Sequence, residues 1–443
     1  MQSPWKKWLK RLLWIIPSIG LLLGGVWAYR LTDALGGGKG IRNVVDAFRD
    51  PRSQFPGQDR INILIIGKDY NHDSKGMPYS KDARSDTIML ISADLVDKQL
   101  RALSIPRDTK IEVDGHSRKI NSSFQNGGVT GLENALAQFG IHPDYYVELK
   151  DTAVEKIVDA VGGVDVEAID DMIYDDSWAH LHIDITKGEH HLNGQEAVGF
   201  VRFRKMGTHR VDENGRKIPI RRRSSLEEGD LRRTERQQQL IKALISRSMT
   251  PGNIIKADSI VNVGFSQINT DLSRTQVLAL ANLFRGNGST GMLSASLPGS
   301  DDTEDGIYYW KADAIRAPLV VDWVLNGNET SGRKLVRVAV YNASKVDGAA
   351  RRAAVAIESQ GFTSFSAGSV KAQEEPTITY RKASFESFAR ELGQTLGISD
   401  VSKDANADPR AEWLPEIKVT LAGAAADKFK PIPPPSKPRS RKP

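Results

Sequence analysis

The stretch INILIIG (61–67), followed by TIMLISA (87–93) and LRALSI (100–105), decides the fold. The first is a short apolar run closing on Gly67, which suits a buried strand, and the other two follow as a strand pair. Leu132, Ala135, Leu136 and Phe139 then recur at helical spacing, and DYYVEL (144–149) reads as strand. Val154, Ile157, Val158 and Val161 mark a second helix, with Asp151 as N-cap and Gly162-Gly163 as its stop. Val164 and Val166 alternate as a strand, and AVGFVRF (197–203) alternates again. A long helix is expected from Asp230 towards Met249, where Leu240, Ile241, Leu244 and Ile245 are apolar, with further helices over 251–262 and 274–285. This order predicts an α/β (α+β) domain over 58–325, a mixed central sheet flanked by helices.

Beyond it, the polar segment NGNETSGRK (326–334) reads as a linker. Strands over 335–342, 377–380 and 417–421, with helices over 348–361 and 385–396, predict a small βαβαβ domain at 335–427. The tail KFKPIPPPSKPRSRKP (428–443) is rich in proline and cations, hence extended and disordered.

On the other side, LLWIIPSIGLLLGGVWAY (12–29) carries no charge. At 1.5 Å per residue it spans about 27 Å, enough for a bilayer core, so one transmembrane helix precedes the body. Lys6, Lys7, Lys10 and Arg11 come before it, which places residues 1–11 in the cytoplasm and the rest outside, after a stalk at 30–57. A cleaved signal peptide is the competing reading. It fits less well, because the run is long and Val26-Trp27-Ala28 puts a bulky Trp inside the only near match to a cleavage site. Either way the body is extracytoplasmic, a cell-membrane location that argues against ATP- or NAD-dependent chemistry. LGGGKG (35–40) lacks the hydroxyl residue and preceding strand of a phosphate loop.

The 443 residues contain no cysteine, which excludes disulfides, catalytic thiols and thiolate-ligated metals. The formal net charge of +6 is deceptive: residues 1–30 hold five cations and 428–443 hold six, with no acid in either, leaving −5 for the body. A broad nucleic-acid footprint is therefore unsupported. Cations concentrate instead at 202–236, with twelve Arg/Lys against six Asp/Glu.

Several charged residues sit at the ends of expected strands. Asp69 follows the first, Arg84 and Asp86 precede the second, and Arg107 and Asp108 follow the third. Arg202 and Arg204 would share one face of a strand. Asp230, Arg233 and Gln237 share one helix face, with Arg236 close by. Any one of these could be a surface ion pair of little worth. Together, strand-end acids with clustered arginines suggest an anionic ligand, phosphate oxygens in the guanidinium forks and Mg²⁺ on the carboxylates. The histidines His180, His182, His190 and His191 form no recognisable zinc pattern, the last two following at a turn, and no G-x-S-x-G occurs.

In these segments the chain resembles the LytR–CpsA–Psr family of bacterial envelope proteins. The matching stretches are IIGKD (65–69), ARSDTIMLIS (83–92), LSIPRDT (103–109), KIN (119–121), DAVGGVDV (159–166), MIYDD (172–176), GEHHLNGQEAVGFVRFR (188–204) and GDLRRTERQQQLI (229–241). VRVAVYNASKVDGAARRAAVAIESQGF (336–362) resembles the LytR-type C-terminal domain of some members. The resemblance implies transfer of a glycopolymer, a teichoic acid, capsule or other polysaccharide, from undecaprenyl pyrophosphate to a peptidoglycan hydroxyl, leaving a phosphodiester. It implies Mg²⁺, with Mn²⁺ as an alternative, on Asp69 and Asp86. It implies pyrophosphate binding by Arg84, Arg107, Arg202, Arg204, Arg233 and Arg236, with Asp230 and Gln237 orienting them and Lys119 nearby. Asp86, Arg84, Arg107 and Asp230 would carry the catalysis, and membrane lipid would present the donor.

Two departures stand out. The roomy loop YNHDSKGMPYSKDA offers Asp73 or Asp82 as competing metal ligands, and the insert 205–229 gathers Arg221, Arg222 and Arg223. That insert reads as a solvated loop ahead of a contact with anionic lipid or polymer. A non-catalytic scaffold holding lipid-linked intermediates, or a polyprenyl-pyrophosphate hydrolase, are the rival functions.

Overall fold

The computed structural model describes residues 49–68, 71–72, 78–79, 85–149, 152–176, 181–203, 209–211, 217–219, 230–248, 250, 252–253, 257–284, 292–404 and 415–430. The expected membrane helix at 12–29, residues 1–11 and most of the stalk and tail lie outside them. Among the described residues, no helix is long and apolar enough to cross a membrane.

The chain packs as two units, residues 1–296 with 300–311, and 297–299 with 312–443. In the first, the elements run β1 (Arg60–Lys68), β2 (Ser85–Asp94), β3 (Leu100–Ser104), β4 (Lys110–Val113), β5 (His116–Lys119), α1 (Asn121–Ala137), β6 (Tyr145–Leu149) and α2 (Ala153–Val161). Then come β7 (Val164–Ala168), β8 (Met172–Asp176), β9 (Leu181–Ile185), β10 (Gly188–Leu192), α3 (Gly194–Arg202) and α4 (Asp230–Ser248). The unit closes with α5 (Ala257–Gln267), β11 (Ile268–Thr270), α6 (Arg274–Leu283), β12 (Leu293–Ser296), β13 (Gly299–Glu304) and β14 (Ile307–Ala312).

The central sheet has six strands in the order β11-β6-β1-β2-β3-β12. β1 runs parallel to β6 and antiparallel to β2, and β3 runs antiparallel to β2 and parallel to β12. The sheet is thus mixed, as the order of elements predicted. β1 is apolar without alternation because both its faces are covered. Ile61 and Ile63 pack with Phe55, Leu272, Leu283 and Phe284. On this side Met89, Ile91 and Ala102 also meet Ile241 and Ile245 of α4. Leu64, Ile66, Leu90 and Leu103 are buried too, and α1 lies against β2. A separate core joins α2, α3 and α4 to the β7–β10 hairpins through Val158, Val166, Ile183, Phe200, Phe203 and Leu240.

Four expectations need correction. Residues 197–203 are not a strand: 197–202 lie in α3, which Asn193 and Glu196 start with a reciprocal capping box, and Phe203 is its C-cap. The helix burying Ala197 and Phe200, three residues apart, outcompetes the local alternation. The stalk is not free of the domain at its end, since residues 51–54 form a turn of 3-10 helix and Phe55 is 1% exposed in the core. His190 and His191 lie within β10 instead of at a turn. Finally, residues 326–334 are not an open linker.

That last segment holds α8 (Glu329–Leu335), which follows α7 (Arg316–Leu325) inside the second unit. There β15 (Arg337–Asn342), α9 (Ala349–Glu358), β16 (Thr363–Ser369), β17 (Thr377–Tyr380), α10 (Glu386–Leu396), β18 (Val401–Lys403) and β19 (Ile417–Leu421) follow. Their five-stranded sheet has the order β16-β15-β19-β17-β18, two strands more than expected. Trp323 of α7 stacks on Phe385 at 6.1 Å and meets Phe388 at 5.4 Å, which draws the segment before β15 into this core. Glu416, 2% exposed, receives Arg337 at 3.0 Å, Arg381 at 3.4 Å and Arg316 at 3.7 Å.

Candidate active site

The strand directions place the C-terminal ends of β1, β3, β6 and β12 at one edge of the first sheet, together with the N-terminal end of β2. In open α/β sheets the carboxyl ends of parallel strands are where ligands bind. Here that edge carries an irregularity. Gly67 pairs with Thr87 but Lys68 pairs with Ser85, so Asp86 is the extra residue of a β-bulge. Bulges of this kind re-aim a side chain at the rim of a sheet. Asp69 and Arg84 adjoin the paired residues Lys68 and Ser85 in sequence, and both lie outside the described residues, as do Asp73, Asp82, Arg204 and Arg221–Arg223.

Helix α4 lies across this edge and its glutamines hold it there. Gln237 Nε2 donates to Thr87 Oγ1 at 2.8 Å, beside the bulge, and Gln238 Nε2 donates to Ser104 Oγ at 2.9 Å at the end of β3. A Cβ on Gly67 would stand 3.0 Å from Thr87 Cβ, so the absence of a side chain there lets Thr87 sit close enough. Arg233 is 3% exposed and Arg236 6%, so the helix buries two of its predicted arginines. Arg236 donates to the Phe203 carbonyl, and its guanidinium lies 5.3 Å from the Phe203 ring, tying α4 to the end of α3. Arg202 is the exposed last residue of α3, not a strand residue. Asp230 opens α4.

Arg107 and Lys119 meet through a residue between them. Asp108, a half-buried carboxylate, accepts Lys119 Nζ at 2.9 Å and lies 3.7 Å from Arg107 Nε. Thr109 folds the segment, its hydroxyl donating to the Pro106 carbonyl at 2.6 Å, while Asn121 N reaches the Arg107 carbonyl at 3.2 Å. The Asp108 carbonyl accepts Trp310 N at 2.9 Å, so β14 braces it from outside. On the far side of β1, Lys68 pairs with Glu148, which Asn269 also reaches at 3.1 Å. Burial holds the Lys242 ammonium of α4 below the ordinary lysine range.

Sequence reasoning missed Thr87 and Gln238, whose partners lie across the fold. The capping box of α3 was the missed local signal: Asn193-x-x-Glu196 directly precedes its apolar residues. Among the described residues no group of three or more His, Asp or Glu is placed to hold a metal. His191 pairs singly with Asp165 at 2.6 Å and His182 with Asp175 at 3.5 Å.

A mixed sheet with basic and acidic groups gathered at one edge defines an α/β protein whose candidate site suits an anionic ligand. By its sequence, the chain belongs to the LytR_cpsA_psr family, which matches residues 42–319. Residues 335–424 match the domain described as LytR cell envelope-related transcriptional attenuator. The polyisoprenyl-teichoic acid–peptidoglycan teichoic acid transferase TagV of Bacillus subtilis (strain 168) is 30% identical over 333 residues, covering 70% of this chain and 76% of that one. The transferase TagU of Bacillus mycoides (strain KBAB4) is 28% identical over 322 residues, covering 70% and 95%. The crystal structure of B. subtilis TagV aligns over 60% of this chain and 98% of its own, with 27% identity and a TM-score of 0.48. The chain is an enzyme of this transferase family.

Proposed function

We propose that the protein transfers a glycopolymer from a polyisoprenyl-pyrophosphate carrier to peptidoglycan, forming a phosphodiester, with its body outside the cell membrane and an N-terminal helix anchoring it. The observations that carry this reading are the Gln237–Thr87 bond from α4 beside the bulge at Asp86, and the sharing of Asp108 by Arg107, just past the end of β3, and Lys119. Phosphoryl transfer needs positioning and charge neutralisation more than it needs a covalent nucleophile, and this edge offers both. Arg107, Lys119 and Arg233, with Arg84, Arg202, Arg204 and Arg236, would hold the pyrophosphate oxygens. Asp230 and Gln237 would keep α4 and its arginines in register. The acceptor hydroxyl displaces the polyprenyl phosphate at the sugar-side phosphorus.

Asp69 and Asp86 would hold Mg²⁺ or Mn²⁺. They adjoin Lys68 and Ser85, the pair at the bulge, and their donors are hard carboxylate oxygens of the kind Mg²⁺ prefers. Such an ion, when bound, neutralises phosphate charge.

The test supplies the full chain in detergent with an undecaprenyl-pyrophosphate-linked teichoic acid, peptidoglycan fragments and Mg²⁺. Ligated product is expected, lost in Asp86→Ala and Arg107→Ala. Tight donor binding without product in any metal would replace the reading with a scaffold. Release of polyprenyl phosphate without ligation would replace it with a hydrolase.

A further inference from the structure

The hairpin β13–β14 does more than brace the Arg107 segment. Thr109 and Trp310 form a parallel bridge, so β14 runs alongside the residues that carry Arg107 and Asp108. Tyr309 anchors the strand: it is 4% exposed, its hydroxyl donates to the Ser117 carbonyl at 3.3 Å, and Lys110 Nζ lies 5.6 Å from its ring. Lys110 also reaches Glu304 at 2.5 Å and Asp302 at 3.6 Å. These contacts fix the hairpin against β4 and β5.

Side chains two apart on a strand share a face, so Tyr308 and Trp310 lie together on the face opposite Tyr309. Trp310 is half-buried, whereas Tyr308 is 43% exposed. The exposed ring is nevertheless held in place. Its hydroxyl donates to Asp301 Oδ1 at 2.8 Å, and the Lys119 ammonium stands 5.6 Å from its centroid. A large aromatic surface kept rigid in water at the side of a phosphate-binding lysine is a recognition surface, because a tyrosine presents wide area at little cost in side-chain freedom.

The chemistry of the occupant follows from charge. An aromatic face is negative and attracts the partly positive C–H bonds on the flat side of a sugar ring, as it attracts Lys119. The hairpin around it carries Asp301, Asp302, Glu304 and Asp305. With Lys311 on the hairpin and Lys110 paired to Asp302 and Glu304, a net negative charge of about two remains, which disfavours a phosphate-bearing polymer relative to an uncharged sugar and so helps separate the two substrates of a polymer ligation.

We propose that Tyr308, with Trp310 beside it, is the platform on which an uncharged pyranose ring of the hydroxyl-bearing acceptor glycan stacks, next to Lys119 and Arg107. This rests on the transferase reading and deepens it by assigning the acceptor side of the site.

Binding is tested separately from transfer. Saturation-transfer NMR of the full chain in detergent, with a soluble, uncharged tetrasaccharide of N-acetylglucosamine and no donor, reads sugar C–H contact directly. Wild type and Tyr308→Phe should show it. Tyr308→Ala should weaken binding about tenfold, the scale of one lost aromatic contact. In the ligation assay Tyr308→Ala should raise the acceptor KM about tenfold and leave donor KM and kcat within about twofold. Ile307→Ser, on the other face of β14, should change neither. No sugar signal in wild type, equal signal in Tyr308→Ala, or a loss appearing in donor KM would overturn the assignment. A signal dependent on Tyr308 in a protein that ligates nothing would overturn the transferase reading and leave the glycan platform standing.

Discussion

Replacing Asp108 by Asn removes one charge and keeps the shape, so it isolates what that carboxylate does for its two cations. Lys119 Nζ lies 2.9 Å from it and Arg107 Nε 3.7 Å, with side-chain exposures of 29% and 22% against 16% for Asp108. At an effective dielectric constant near 20, the gross attraction to Lys119 alone is about 6 kcal/mol. Desolvation offsets most of it, and the net worth of a hydrogen bond to a charged group is about 1.5–3 kcal/mol. The backbone is spared, because Trp310 is bound by the Asp108 carbonyl and not by its side chain. If Asp108 positions Arg107 and Lys119 for the pyrophosphate, Asp108→Asn should lower kcat/KM by about 10–150-fold, that energy expressed as rate. The assay is ligation at varied donor concentration, with thermal unfolding as the check on folding. A double-mutant cycle with Lys119→Met should show coupling above about 0.5 kcal/mol, since residues in contact are not additive. Full activity in Asp108→Asn, or simple additivity with Lys119→Met, would refute the positioning role.

Gly67→Ala should cost about 1–3 kcal/mol of stability, the range for overpacking, and lower transfer activity. Its Cβ would press Thr87 from 3.0 Å and disturb the hydroxyl that Gln237 holds; thermal unfolding and ligation assays check both. Glu416→Gln should destabilise the second unit by about 3–5 kcal/mol, because three guanidinium groups lose their shared buried counter-charge; urea unfolding measures it. Lys242→Met should stabilise the protein at neutral pH. Burial lowers the folded-state pKa of Lys242, so below that value the folded state carries the full penalty of an ill-solvated ammonium. Between the folded and unfolded values the unfolded chain binds more protons, and wild-type stability rises with pH there. The gap between variant and wild type should therefore be widest at neutral pH and close through the lysine range; a gap independent of pH would contradict it.

Most of the fold was legible because its signals were local. Apolar runs marked β1, β2 and β3, and helical spacing marked α1, α2 and α4. The α3 segment misled because Ala197, Gly199 and Val201 can be read as alternating with Val198, Phe200 and Arg202. Its capping box and the burial of Phe200 and Phe203 against Leu240 decide for a helix. Phe55 and α8 were assigned to connecting segments because a single aromatic, or two turns of mostly polar helix, carries no period. Only packing against Leu283 and Phe284, or around Trp323, reveals them as core.

The candidate site divides in the same way. Which residue types would handle phosphate, and their order along the chain, could be read from the motifs alone, as could membership of the family. The bulge that singles out Asp86 required the pairing register of β1 and β2. The Gln237–Thr87 bond spans 150 positions, and the bracing of Asp108 by Trp310 joins segments that share no local pattern. Propensity and periodicity are properties of neighbours along a chain, and the sequence by itself determined what they govern. Hydrogen bonds and ion pairs between distant segments exist only once the sheet has closed and its register is set, so the tertiary structure alone decided how that edge is held and which aromatic ring stands beside it.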